Sequence, residues 1–313
     1  MRILILGAGA TGGVFGARLI QAGARVSFGV RAPRAEALRQ SGLVVRFPEG
    51  LFERNVDVKI ASELGAGYDV VLLACKAYDL EAAVDAIGPA LGPDTIVVPL
   101  LNGVSHLGML EKRLGNAQVA GGTCHLASTV ESDGSTRQLS PTARIAFGPR
   151  QDMSPDGKRT LETLAALFSK TPVECRLSEQ IMQDMWEKFA FLATLASATC
   201  LMRAAIGDIV ATESGCRLIA DGFEACAASA AAAGFPMREE ARRDFFDTLT
   251  QPGSTLTSSM LRDLEAGHRI EAEHIVGDML RRVRAAGGAS TLLETAYVHL
   301  QARDARLARE RKM

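Results

Sequence analysis

The segment that most constrains this chain is residues 2–13, Arg-Ile-Leu-Ile-Leu-Gly-Ala-Gly-Ala-Thr-Gly-Gly. Ile3, Leu4, Ile5 and Leu6 form the unbroken apolar run that a parallel strand buried on both faces requires. The run stops at Gly7, and an amphipathic pattern carries on from Val14 to Gln21. Gly7, Gly9 and Gly12 therefore place a G-x-G-x-x-G between a strand and a helix, the context in which that pattern points to a dinucleotide. Gly7 suits a tight turn, Gly9 lets backbone approach a pyrophosphate, and Gly12 lets the helix press on the strand. Gly7, Ala8, Gly9, Ala10, Thr11 and Gly12 are the expected cofactor-binding segment, with free N–H groups and the positive end of the helix dipole facing the phosphates. The plainer alternative is a glycine-rich turn with no ligand, which the strand-then-helix context disfavours.

Strands continue to alternate with helices after this opening. Arg25–Val30 reads as a strand, and Pro33 opens a helix through Arg39 that stops at Gly42. Leu43–Phe47 and Phe52–Ile60 read as short strands around a Pro-Glu-Gly turn. Asp69–Ala74 and Thr95–Leu100 are further apolar strands, each followed by a helix, the second after Asn102-Gly103. That alternation predicts a Rossmann-type, doubly wound parallel sheet. From Val119 the pattern changes. Val119–Glu131, Arg137–Leu139 and Arg144–Phe147 predict an antiparallel extension around the Asp133-Gly134 turn, closed by a helix at 157–169 and a strand at 172–176.

Beyond Ser178 only helical periodicity is found. Glu179–Arg203, Gly207–Ala233, Arg238–Thr250, Ser254–Glu265, Glu271–Ala286 and a helix from about 290 are punctuated by Gly234, Pro236, Pro252, Gly253, Gly287 and Gly288. The expected class is α/β followed by all-α. Residues 1–178 form the dinucleotide-binding domain and 179–313 an all-helical substrate and catalytic domain, and a chain of 313 residues suffices for both. The basic tail after Ala302 reads as a solvated helix end.

A formal net charge of -1 and 5% aromatic residues offer neither a basic field nor a stacking surface for nucleic acid. No apolar run reaches the roughly 18 residues of a membrane span. Cys75, Cys124, Cys175, Cys200, Cys216 and Cys226 are scattered singly, without C-x-x-C or histidine-rich spacing, so no metal site is expected. The chain opens on a core strand, which leaves no room for a signal peptide and predicts reduced thiols in a cytoplasmic protein.

An NAD site places an acid about 20 residues past the glycines, on the ribose 2′-hydroxyl. Here the second strand ends in Gly29-Val30-Arg31, Arg34 follows, and no acid precedes Glu36. A guanidinium suits a 2′-phosphate, so Arg31 points to NADP(H); the alternative is a surface charge. In the helical half, Trp186-Glu187-Lys188 precedes an apolar run, Phe189–Leu201, broken only by Thr194, Ser197 and Thr199. A lysine in such a setting is either desolvated, with its pKa pushed down towards the range of a general acid, or placed at a helix edge where it snorkels to water. Ser258, Ser259, Asp263 and Glu271 read from spacing alone as capping and surface residues, with Glu271 opening a helix.

Taken together these elements resemble the ketopantoate reductase family, whose members reduce 2-dehydropantoate to pantoate with NADPH on the way to pantothenate. The resemblance rests on the glycine segment, Val30-Arg31, Cys75-Lys76, Leu101-Asn102-Gly103, Trp186-Glu187-Lys188, and Ser258-Ser259-Met260-Leu261-Arg262-Asp263 followed by Glu271. It implies an NADP-dependent oxidoreductase with its active site in the cleft between two domains. By resemblance, Lys188 is the catalytic lysine that protonates the substrate carbonyl oxygen, and Glu271 its acidic partner. Lys76 and Asn102 correspond to residues lining the nicotinamide end, in contact with cofactor and substrate. Ser259 corresponds to the serine that holds the substrate carboxylate, and Asp263 and Glu271 complete the substrate-binding set.

The chain departs from the family pattern at Leu192 and Ala196, where asparagines four and eight residues after the lysine are usual. An apolar side chain cannot supply their hydrogen bonds, although Thr194, Ser197 or Thr199 offers partial compensation. Reaction type survives this change better than substrate identity. Three alternatives follow: the same chemistry on a more apolar 2-oxo acid, oxidation of a hydroxy or amino acid, or a non-catalytic NADP(H) sensor. The sequence leaves the oligomeric state open, a homodimer included.

Overall fold

The computed structural model describes residues 1–310; residues 311–313 of the basic tail lie outside the described residues. The chain divides into two compact units. The first comprises Met1–Leu101 and His106–Ile181; the second comprises Asn102–Ser105 and the chain from Met182 onward.

In the first unit, β1 (Arg2–Leu6) leads into α1 (Ala10–Gln21), β2 (Arg25–Gly29) and α2 (Ala32–Ser41). Then come β3 (Leu43–Phe47), β4 (Gly50–Arg54), β5 (Asp57–Lys59), β6 (Val70–Leu73), α3 (Leu80–Ile87), β7 (Ile96–Pro99) and α4 (Ser105–Leu114). β8 (Gly121–Val130), β9 (Thr136–Gly148), α5 (Pro155–Phe168) and β10 (Glu174–Leu177) complete it. Five strands form an all-parallel sheet in the order β5-β2-β1-β6-β7. Ile3, Leu4 and Ile5 are fully buried, as strands covered on both faces must be. The order reverses between β1 and β6, which puts the glycine turn at the carboxyl end of the sheet beside its switch point.

The extension is mixed rather than purely antiparallel. β9 pairs antiparallel with β8 but parallel with both β3 and β10. The expected strand Phe52–Ile60 is in fact two: Phe52 lies in β4, paired with β3 in this second sheet, and Val58 lies in β5, paired with β2 in the first. Conversely, Arg137–Leu139 and Arg144–Phe147 are parts of one strand, β9. Phe15, Phe147 and Phe168 tie the layers together, Phe15 meeting Phe168 edge-on at 5.9 Å. Burying one such ring is worth about 1.5–3 kcal/mol.

The second unit is helical: α6 (Ile181–Met202), α7 (Ile206–Val210), α8 (Gly215–Ala232), α9 (Glu239–Leu249), α10 (Ser259–Glu265), α11 (Asp278–Ala285) and α12 (Thr291–Glu310). A π turn, Glu273–Gly277, runs directly into α11. The helix expected over Gly207–Ala233 is broken at residues 211–214. There the chain folds back so tightly that a Cβ on Gly215 would collide with the Ile209 carbonyl. The helix expected from Ser254 begins only at Ser259, because Ser254 and Leu256 use their carbonyls to accept from Gly207 and Ile206 N–H at the start of α7. These are donors that a helix cannot satisfy internally. Leu195, Ile206, Ile219, Phe223, Leu249 and Leu292 form the core of this unit.

Candidate active site

The first set of candidate residues lies wholly within the first unit. Gly7 takes φ +104°, a conformation that glycine alone adopts cheaply, and turns the chain from β1 into α1. A Cβ on Gly12 would drive into the Gly7 carbonyl, so the helix start is packed against the turn as closely as backbone permits. Gly9 differs: no atom of the protein lies within 4 Å of where its Cβ would be. The space in front of Gly9 is therefore open for a ligand. Ala10 and Thr11 form the first turn of α1, whose leading N–H groups have no carbonyl partner within the helix.

This turn borders a cavity of about 830 Å³, which Arg31, Arg34 and Asp79 also line. Much of the remaining lining is apolar, Ile60, Leu64, Ala82 and Ala86 among it. Phosphate-facing N–H groups, guanidinium groups and an apolar lining fit the phosphates, ribose and adenine of a dinucleotide. Arg34 donates from Nη2 to the Ala8 carbonyl at 3.0 Å, bracing the glycine turn. Burial pulls its pKa below the usual arginine value, and the group stays cationic at neutral pH. Arg31 is largely exposed and forms an ion pair with Asp79 Oδ1 at 2.6 Å. Lys76, half-buried, opens the short turn Ala77–Asp79 and follows Cys75, which lines the cavity.

The second set lies within the second unit. Lys188 is half-buried on α6, and its Nζ donates to Asn102 Oδ1 at 3.4 Å. An ammonium has no acceptor, so the amide oxygen faces it and the amide N–H₂ is left to donate elsewhere. Gly103, at φ +80°, is held close: a Cβ there would lie 3.3 Å from the His274 carbonyl and 3.5 Å from the Phe189 ring. The Asn102-Gly103 turn is thus packed against α6 and the π turn. Glu271 is buried immediately before that turn, its backbone carbonyl accepting from His274 and Ile275 N–H. π turns of this kind recur at functional sites.

Two serines divide the capping role. Ser258 is buried and caps α10, accepting from Leu261 N–H at 3.0 Å and meeting Thr199 Oγ1 at 2.9 Å. Ser259, the first residue of α10, is exposed. Asp263 is half-buried, with His268 Nδ1 at 3.8 Å from its carboxylate. The three hydroxyls expected to offset the missing asparagines are buried, and two of them are engaged by their own helix. Thr194 and Thr199 hydroxyls donate to the Ala190 and Leu195 carbonyls of their own helix, and Thr194, Ser197 and Thr199 are fully buried. Leu192, half-buried, and Ala196, fully buried, continue the helical face of Lys188 with apolar side chains. Asp79 escaped the residue-by-residue reading, since its partner lies 48 positions away; its place just past a strand's carboxyl end was the available signal.

Two family models match the chain: ketopantoate reductase PanE/ApbA over residues 3–152, and the C-terminal domain of the same family over residues 180–304. The chain belongs to the ketopantoate reductase family, and it is an oxidoreductase. An uncharacterized oxidoreductase of Bacillus subtilis, YkpB, is 32% identical over 303 residues, covering 96% of this chain and 98% of that protein. The 2-dehydropantoate 2-reductase of Mesorhizobium japonicum is 30% identical over 305 residues, covering 88% of this chain and 89% of that one. Among solved structures, D-mandelate dehydrogenase in a ternary complex with NADH and anilino(oxo)acetate superposes with a TM-score of 0.87, covering 98% of this chain and 99% of that one. At 21% identity, that likeness speaks for the fold. No helix among the described residues is long and apolar enough to cross a membrane.

Proposed function

We propose that this chain reduces the keto group of 2-dehydropantoate with NADPH, residues 1–178 holding the cofactor and residues 179–313 supplying the proton donor. The observation that carries the proposal is the ammonium of Lys188 held against the Asn102 amide in a chain of this family. When bound, the reduced dinucleotide supplies the hydride to the keto carbon. Lys188 stabilises the negative charge that develops on the carbonyl oxygen and gives up its proton as the hydroxyl forms. Asn102 keeps that ammonium oriented, and its amide N–H₂ is a donor for cofactor or substrate oxygen. Glu271 is the acidic partner of Lys188 and a substrate contact, with Lys76, Ser259 and Asp263 completing the substrate set. Ser259, exposed at the first turn of α10, offers its hydroxyl and a helix N-terminus to the substrate carboxylate.

The glycine segment from Gly7 to Gly12 takes the pyrophosphate, and Arg31 with Arg34 favours a 2′-phosphate over a hydroxyl. Replacing Arg31 by alanine is expected to weaken NADPH binding about 10- to 100-fold, the scale of one lost charge-assisted contact, and to leave NADH binding within about twofold. Equal losses for both dinucleotides would remove Arg31 from cofactor choice.

A second substrate class has a specific observation in its favour. Half-buried Leu192 and buried Ala196 carry no polar atom where the family's asparagine pair would read the substrate hydroxyl, and the D-mandelate dehydrogenase structure holds anilino(oxo)acetate. The deciding experiment is a spectrophotometric screen of 2-dehydropantoate, aliphatic and aryl 2-oxo acids with NADPH and with NADH. Fastest turnover of 2-dehydropantoate with NADPH supports the proposal; fastest turnover of a bulkier apolar acid transfers it to that class. Dinucleotide binding without turnover of any oxo acid would leave a sensor.

A further inference from the structure

We infer that Asp79 is a specificity-determining residue that restrains the preference of the cofactor cavity for a 2′-phosphorylated dinucleotide. This rests on the proposal that the cavity takes NADP(H), and it concerns how strongly that form is favoured.

Among the charged side chains lining the cavity, Asp79 is the one acid beside Arg31 and Arg34. Its position is unusual for the residue type. Asp79 is the N-cap of α3, where an aspartate ordinarily accepts from the backbone N–H groups of the first turn. Here its side chain makes no capping hydrogen bond and instead reaches Arg31, 2.6 Å away. Asp79 has helical dihedrals and continues from the turn Ala77–Asp79 into α3, so its carboxylate is not committed to the helix and is turned towards the guanidinium expected to read the ribose substituent. Arg34 is tied differently, to the Ala8 carbonyl, and leaves Arg31 as the cation that Asp79 neutralises.

The consequence differs for the two dinucleotides. A 2′-phosphate that pairs with Arg31 must compete with a carboxylate already on that guanidinium, and then shares the site with its negative charge. A 2′-hydroxyl can donate to the Asp79 carboxylate while the ion pair stays intact, the role an acid plays in NAD sites. Asp79 thus weakens binding of the phosphorylated form and supports the other. The Arg31–Asp79 pair tempers the cofactor preference that arginine alone would impose.

The test is fluorescence titration of NADPH and NADH into wild-type protein, Asp79→Asn and Asp79→Ser, with thermal unfolding run on each. The ratio of the NADH to the NADPH dissociation constant should rise about tenfold in Asp79→Asn, mainly through tighter NADPH, the scale of one unfavourable unit charge at a half-exposed site. Asp79→Ser should shift the ratio in the same direction, and its smaller neutral side chain provides an independent variant should the asparagine one unfold. A structural disturbance alone would move both constants together. A ratio within about twofold of wild type in both variants, or a shift towards NADH, overturns the inference while NADPH binding by wild type stands. Wild-type protein that binds neither dinucleotide overturns the cofactor assignment and this inference with it.

Discussion

Replacing Lys188 by alanine is expected to lower kcat on the preferred 2-oxo acid by about 10²–10⁴-fold, the range of a positioned general acid. The dissociation constant of NADPH should stay within about twofold, because the glycine turn, Arg31 and Arg34 all lie outside the helical unit. Arginine at this position should not rescue the activity, since a guanidinium keeps the charge but does not release its proton near neutral pH. Single-turnover measurements with saturating NADPH isolate the chemical step from product release. Turnover within about threefold of wild type would exclude Lys188 as the acid.

The second large effect concerns stability. Asp184 and Glu187 are both buried on α6, and Arg238 serves them together. Its backbone N–H donates to Glu187 Oε1 at 2.8 Å, its Nε to the same oxygen at 2.9 Å, and its Nη2 to Asp184 Oδ1 at 2.5 Å. The Glu187 carboxylate, foremost, raises the pKa of the guanidinium. Truncating Arg238 to alanine leaves two buried carboxylates without their shared cation. The expected cost is about 3–4 kcal/mol, towards the lower end for a broken buried pair because the guanidinium is half-exposed. That corresponds to a Tm lower by about 6–16 °C. Adding Asp184→Asn and Glu187→Gln to the arginine variant should recover part of the loss, since a neutral amide costs less to bury than a carboxylate. A Tm within about 2 °C of wild type for Arg238→Ala would show the carboxylates to be satisfied without it.

Much of the first unit was legible in the chain because buried parallel strands are written as contiguous apolar runs. Ile3–Leu6 and Val70–Leu73 stand out in this way, and glycine marks the turn that follows β1. Pairing partners are not written locally. Nothing in Phe52–Ile60 says that Phe52 joins one sheet and Val58 another, since the choice is made by β3 and β2. Nor does the local pattern reveal that Val45 aligns with Thr136, more than ninety residues on, in a parallel pair. The break before Gly215 is similarly hidden: residues 211–214 carry no proline, and the fold-back is fixed by the close approach of Gly215 to Ile209. Within the candidate site the glycine segment could be read from its motif, whereas the Arg31–Asp79 pair required the end of β6 to be seen beside β1 and β2. The uses of Thr194 and Thr199 were invisible too, because a hydroxyl on a helix has its own backbone as a ready acceptor.

Asn102–Ser105 leaves the end of β7 yet clusters with the helical unit, and this limits how the protein can be cut. A fragment beginning at Met182 would keep Lys188 but lose the amide beside it, together with the glycine wedge packed on Phe189 and His274. Mixing two separately produced halves would return that loop only on the other fragment, so restored turnover would report reassociation. Lys188 and the amide beside it are encoded 86 positions apart, so their contact depends on the integrity of the intervening chain.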